Sequence, residues 1–193
     1  MKLCFATNNT HKIKEIEHKL EGLDIVLCSL KDIGCTQELP ENQKTLGGNS
    51  LEKAEFVYNQ FGVDCFADDT GLEVFALDGE PGVYSARYAG DSKNPEANMD
   101  LLLQNMKGVK DRRAQFRTVI TLIINGKKKQ FEGVVHGRIL EEKRGGHGFG
   151  YDPIFQPNHY DETFAQMPLV EKNKISHRAI ALEKLVNQLK SIA

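Results

Sequence analysis

Residues 1–28 constrain the fold more than any other stretch. Lys2 to Thr7 holds the apolar run Leu3-Cys4-Phe5-Ala6, which reads as a short buried strand. It passes directly into Thr7-Asn8-Asn9-Thr10, residues that form turns and cap helices. From His11 to Leu20, the apolar positions Ile13, Ile16 and Leu20 recur at spacings of three and four, which is one face of a helix. Asp24 to Cys28 is a second apolar run. Strand, turn, helix, strand is a βαβ-like opening and predicts an α/β chain.

The remaining pattern alternates in the same way. Residues 29–47 read as irregular, with Pro40 and Gly47-Gly48 marking loop. Asn49 or Ser50 is expected to cap a helix that Gly62 ends after Phe61. Val63 to Ala67 predicts a buried strand that emerges into loop at Asp68-Asp69-Thr70-Gly71, with a short strand over Leu72 to Leu77. Asn94 to Met106 predicts a helix with Pro95 in its first turn. Ala114 to Ile124 and Lys127 to Leu140 predict two strands joined at Asn125-Gly126. Residues 143–163 read as loop, and a last helix is expected from Ile175 to Leu189. No repeat or polar linker divides the chain, so residues 1–193 are expected to form one domain.

Composition excludes several classes. Lys and Arg number 25 against 27 Asp and Glu, a net charge of −2, which argues against a protein that coats nucleic acid. No apolar run is long enough to span a bilayer, and there is no secretory leader, so a membrane is not expected as a partner and a reducing cytoplasm is. Cys4, Cys28, Cys35 and Cys65 form no CxxC pair, which argues against a zinc cluster.

Five clusters carry polar chemistry. Thr7 to Lys12 lies where backbone N–H groups open a helix and favour anions, yet a plain polar turn has the same composition. Asp68-Asp69 ends an apolar run. Two adjacent carboxylates there call for a counter-charge such as Mg²⁺ or for work on a water, and a solvated cap is the alternative. Pro81 to Gly90 holds Tyr84, Ser85, Arg87 and Tyr88 between glycines, as a ligand contact or as a packed loop with Arg87 paired to an acid. Gly145 to Pro153 has glycines that let backbone approach a ligand, with Phe149 and Tyr151 able to stack and Asp152 able to accept. Glu171 to Arg178 ends in Ser176-His177-Arg178 at a helix start. Ser176 and His177 are adjacent, which is poor geometry for a nucleophile and its base. Cations at Lys12, Lys53, Arg87, Lys172 and Arg178, a carboxylate pair and an aromatic glycine loop together suit a nucleotide with several phosphates and a metal.

In this order the clusters resemble the inosine triphosphate pyrophosphatase family, the non-canonical purine or dITP/XTP pyrophosphatases. The matching runs are Ala6 to Glu15, Asn49 to Ala54, Ala67 to Leu72, Pro81 to Gly90, Gly148 to Phe155, Thr163 to Ala165 and Glu171 to Arg178. The resemblance implies hydrolysis of ITP, dITP and XTP to the nucleoside monophosphate and pyrophosphate. It also implies Mg²⁺, a homodimer, and an elongated mixed central sheet flanked by helices, with two lobes and an active-site cleft between them. By motif, Thr7, Asn9 and Lys12 would hold the triphosphate and Lys53 would add charge beside it. Asp68 and Asp69 would serve the metal and the water, with Asp69 as general base. Thr70, Arg87, Gly150 and Tyr151 fall within the same substrate-binding motifs. Phe149 would stack on the base, Asp152 would sit at its edge, and Lys172, His177 and Arg178 would select hypoxanthine or xanthine.

This chain departs from the pattern in four places. Gly48 stands where a metal-holding Glu is usual, so Glu52 is considered as a substitute ligand. Ser50 replaces Ala, Thr70 replaces Ser and keeps the hydroxyl, and Gln166 replaces Glu. The rival readings are a related pyrophosphatase acting on modified pyrimidine nucleotides and a nucleotide-binding module that has lost catalysis. Ser176-His177-Arg178 favours the purine branch.

Overall fold

The computed structural model describes residues 1–192; the side chains of Thr10, His11, Lys14, Glu15 and His18 lie outside that description. Among the described residues the strands are β1 (Lys2–Phe5), β2 (Val26–Cys28), β3 (Cys65–Val74), β4 (Arg113–Ile124), β5 (Lys127–Ile139) and β6 (Phe155–Pro157). The helices are α1 (Thr10–Leu20), α2 (Leu46–Phe61), α3 (Pro95–Asn105), α4 (Leu169–Ile175) and α5 (His177–Lys190). The chain is α/β, with a six-stranded sheet of order β2-β1-β3-β4-β5-β6. The sheet is mixed: β1 runs parallel to β2 and β3, whereas β5 and β6 are antiparallel. No helix among the described residues is long and apolar enough to cross a membrane.

The chain divides into two compact units, neither a continuous stretch. One comprises residues 1–69, 118–132 and 181–193, the other 70–117 and 133–180. In the first unit the strand period of two separates two cores. Leu3, Phe5 and Phe66 face Ile16 and Leu20 of α1 and Leu182, Leu185 and Leu189 of α5. Phe5 and Phe66 stack at 4.3 Å between centroids. The alternate residues Cys4, Ala6, Cys65 and Ala67 face Ala54 and Val57 of α2. All four cysteines are free and buried in this unit. Burial pushes the thiols of Cys4 and Cys65 up to about 12. The second unit has its own core, in which Leu72, Met99, Leu102, Phe116, Ile154, Phe155 and Phe164 pack together.

The strand expected to Leu77 ends at Val74, the stretch 143–163 expected as loop holds β6, and three further boundaries differ from the sequence pattern. Thr45, and neither Asn49 nor Ser50, caps α2, its side chain accepting from Gly48 N at 3.0 Å. Gly47 and Gly48 therefore lie inside the first turn of a helix. Strand β3 continues through Asp68-Asp69-Thr70-Gly71 without breaking into loop. Asp and Gly are poor strand formers, but β3 is bound into the sheet beside β4 and the ladder overrides local preference. The last helix is interrupted at Ser176, which ends α4 and whose hydroxyl accepts from Ala179 N at 3.2 Å as the cap of α5.

Candidate active site

In the first unit, the carboxylates sit on β3 and the cations on the helices flanking it. Successive residues of a strand face opposite sides, so Asp68 and Asp69 take different partners. Asp68 is buried, and its Oδ2 accepts from Lys12 Nζ at 2.6 Å. Lys12 lies in the first turn of α1. That turn is held by Asn9 Oδ1, which accepts from Lys12 N at 3.3 Å, and by Thr7 Oγ1, which accepts from Asn9 N at 3.2 Å. Thr7, Asn9 and Lys12 thus form one local structure at a helix N-terminus.

Asp69 is oriented from α2. Its Oδ2 accepts from Asn49 Nδ2 at 3.0 Å, and its Oδ1 lies 3.6 Å from Lys53 Nζ. Burial lifts the Asp69 carboxyl above the usual carboxylate range; Lys53 and Asn49 pull it back, while Glu41 and Asp68 add to the rise. Burial disfavours the Lys53 ammonium, but Asp69, Asp68 and Glu41 outweigh it and keep the charge above the ordinary lysine value. A carboxylate with a raised pKa, beside a fixed cation, suits proton abstraction from a water.

Glu41 was not among the sequence-derived candidates. Its Oε1 accepts from Lys53 Nζ at 2.7 Å. The residues after it are fastened to α2: Asn49 Oδ1 accepts from Gln43 N at 2.9 Å, and Glu52 accepts from Asn42 N at 2.8 Å and from Asn42 Nδ2 and Gln43 Nε2 at 3.2 Å each. These bonds, the one from Asn42 N first, hold the Glu52 carboxyl below its usual range. Glu52 is thus bonded to the 42–43 segment, and Glu41 is the additional acid beside Lys53. The one available signal was an acid following Pro40 in an irregular stretch, which has no periodicity to place it.

Mg²⁺ takes one or two carboxylates, with waters and substrate phosphates completing an octahedron. Among the described residues no three His, Cys, Asp or Glu side chains form a ready-made metal cage. The donor chemistry fits an open site of one or two carboxylates: Asp69 and Glu41 lie against Lys53, and Asp68 against Lys12.

The second unit holds an aromatic–cation cluster. Phe149 is 63% exposed, with Lys172 Nζ 4.9 Å and Arg178 Cζ 5.7 Å from its ring centroid. Asp152 is buried, and its Oδ2 accepts from Phe149 N at 2.8 Å and from Lys172 Nζ. That oxygen, expected at the base edge, serves here to hold the loop and Lys172. Gly148 has φ +83°, and a Cβ there would lie 2.1 Å from Asp152 Oδ2, so only glycine permits this turn. Gly150 also has positive φ, at 62°. His177 is buried at the start of α5 and stacks on Phe116 at 4.7 Å. Tyr151 is buried and donates from its hydroxyl to Ser85 O at 2.8 Å. Thr70 and Arg87 belong to this unit, and the Arg87 guanidinium lies 5.3 Å from the Tyr84 ring centroid.

The first unit thus carries an acid–ammonium cluster beside a helix N-terminus, and the second an exposed aromatic flanked by cations. The Ham1 family model matches residues 3–188, and the chain belongs to the Ham1 family. It is 52% identical over 189 residues to the dITP/XTP pyrophosphatase of Flavobacterium johnsoniae, covering 98% of each chain. It is 53% identical over 185 residues to the dITP/XTP pyrophosphatase of Porphyromonas gingivalis, covering 95% of each. Its structure is similar to the Staphylococcus aureus Ham1 protein, with a TM-score of 0.94 at 39% identity over all of both chains. A HAM1 protein from Coxiella burnetii matches with a TM-score of 0.95 at 34% identity over 99% of each.

Proposed function

We propose that this chain hydrolyses the non-canonical purine nucleoside triphosphates ITP, dITP and XTP to the nucleoside monophosphate and pyrophosphate, removing deaminated purines from the nucleotide pool. The observation that carries the reading is the Lys53 ammonium lying between Glu41 and Asp69, with Asp68 held by Lys12. Such a cluster binds phosphates and deprotonates a water in one place.

Lys12 and Lys53 neutralise the triphosphate, and Thr7, Asn9 and the N–H groups opening α1 bind its oxygens. Asp69 takes a proton from the attacking water. The water oxygen bonds to the α-phosphorus, and the bond to the α–β bridging oxygen breaks, so the electron pair leaves with pyrophosphate. One or two of the carboxylates Asp68, Asp69 and Glu41 would hold Mg²⁺, with waters and substrate phosphates, and the ion would screen phosphate charge and polarise the phosphoryl oxygens.

Phe149 stacks on the base, with Tyr151 and Gly150 shaping the loop that carries it. Thr70 and Arg87 complete the substrate contacts. Hypoxanthine and xanthine present a carbonyl at C6 to the donors Lys172, His177 and Arg178, whereas adenine presents an amino group. A donor facing a donor leaves buried polar groups unpaired, at about 1–3 kcal/mol each. Pyrophosphatase action is assigned to a cytoplasmic homodimer acting on small molecules, without nucleic acid or membrane as partner. The net charge of −2 supports the exclusion of nucleic acid.

Pyrophosphate release is to be measured from ITP, dITP, XTP, GTP, ATP and dUTP, with Mg²⁺ and with a chelator. Mg²⁺-dependent release confined to the inosine and xanthosine nucleotides supports the reading. Comparable release from all six overturns the base selection, and tight ITP binding without release identifies a binding protein instead.

A further inference from the structure

We propose that Asn98 is a positioning residue for the nucleotide reaction: its buried amide fixes the backbone on both sides of Arg87 and so sets where that guanidinium meets the substrate. The proposal rests on the function proposed above.

Asn98 lies in α3 beside Met99 and Leu102, which pack in the core of the second unit. It is itself 3% exposed. A buried amide in a helix interior must find partners, and an apolar residue would fill the space without that demand. All of its side-chain bonds go to one short segment. Oδ1 accepts from Ala89 N at 2.7 Å, and Nδ2 donates to Ala86 O at 3.1 Å and to Ser85 O at 3.4 Å. Arg87 lies between the two bonded ends.

Apart from Tyr88, which packs against the core of the second unit, the segment has little apolar anchorage. Tyr84, Ala86, Ala89 and Gly90 are exposed. Polar ties hold it instead. Ser85 Oγ accepts from Leu72 N at 2.9 Å and donates to Gly82 O at 2.6 Å, and Tyr151 donates to Ser85 O at 2.8 Å. Ser85 is thus tied to β3 and to the Phe149 loop, the Tyr88 side chain is held by Glu80 and Asn105, and Asn98 bonds the backbone on both sides of Arg87. Removing the Asn98 amide loosens the backbone on both sides of Arg87, while Ser85 keeps its bonds to Leu72, Gly82 and Tyr151 and Tyr88 keeps its own.

The test is a double-mutant cycle of Asn98→Ser and Arg87→Ala, read as KM and kcat for ITP with the full-length protein and Mg²⁺. Arg87→Ala and Asn98→Ser are each expected to raise KM about fivefold to tenfold with little change in kcat. The double variant is expected to match Arg87→Ala alone, because Asn98 acts through Arg87. Asn98→Asp keeps the acceptor for Ala89 N but sets an oxygen against the carbonyls of Ser85 and Ala86, and is expected to be at least as damaging. If Asn98→Ser does not fold, the nearly isosteric Asn98→Asp is read in its place, and its rise in KM is likewise expected to be absent in the Arg87→Ala background. A wild-type KM in Arg87→Ala, multiplying losses in the double variant, or an Asn98→Ser variant that melts lower with KM unchanged each overturn the proposal. Wild-type protein that releases no pyrophosphate from any nucleotide overturns the function itself, and the proposal with it.

Discussion

Gln43 Cβ lies 2.7 Å from the point where a side chain at Gly48 would begin, and Thr45 Oγ1 lies 3.0 Å from it. The glycine is what allows the 42–45 segment to close over the start of α2. Family resemblance makes Gly48 look like a missing metal ligand; in the packing, a side chain there would meet Gln43, two residues after Glu41.

Gly48→Glu is accordingly expected to lower activity, not to restore a ligand. The new side chain pushes Gln43 away and takes Glu41 with it. A drop in kcat of about tenfold or more, with a higher Mg²⁺ concentration for half-maximal rate, corresponds to ~1.4 kcal/mol or more of lost transition-state stabilisation. Steady-state assays across a Mg²⁺ titration check this; activity at or above wild type refutes it.

Asn49→Leu removes the amide that donates to Asp69. That donation favours the charged carboxylate, so its loss raises a pKa that burial has already raised. The base must be ionised to act, and the rate falls as pH drops through this pKa. The acid limb of the kcat/KM profile is therefore expected to move to higher pH. An unmoved limb would show that Asp69 is not the group being titrated.

Lys172→Met leaves the buried Asp152 carboxylate without its cation. Breaking one partner of a buried pair costs about 3–5 kcal/mol, so urea or thermal unfolding should show a large loss. Asp152→Asn combined with Lys172→Met is expected to recover much of it, since no unpaired charge remains. Equal stability of the single and double variants would contradict a buried pair.

Phe149→Ala tests the base platform. The ring is mostly exposed and contributes little to the core, so the melting temperature should hardly change. Stacking is worth about 1–3 kcal/mol per base, so KM for ITP should rise about fivefold or more. Competition by inorganic tripolyphosphate, which has no base, should be unaffected. A loss of tripolyphosphate binding equal to the loss of ITP binding would remove Phe149 from base recognition.

The amino-acid sequence by itself determined the elements whose signal is local. Leu3 to Ala6 and the Ile13-Ile16-Leu20 spacing mark β1 and α1, and Asn125-Gly126 marks the β4–β5 turn, with positive φ at both residues. Motif order also marked Lys12, Lys53, Asp68 and Asp69, residues that the fold brings into contact in two groups. Such signals are legible because strand and helix periods, turn conformations and charge type are properties of neighbouring residues. Tertiary structure alone decided that β3 continues through Asp68-Asp69, that Glu41 joins Lys53, that Glu52 serves Asn42 and Gln43, and that Asn98 holds the Arg87 segment. These depend on pairings between separate elements, where packing and the satisfaction of buried polar groups set the partner and sequence separation carries no period.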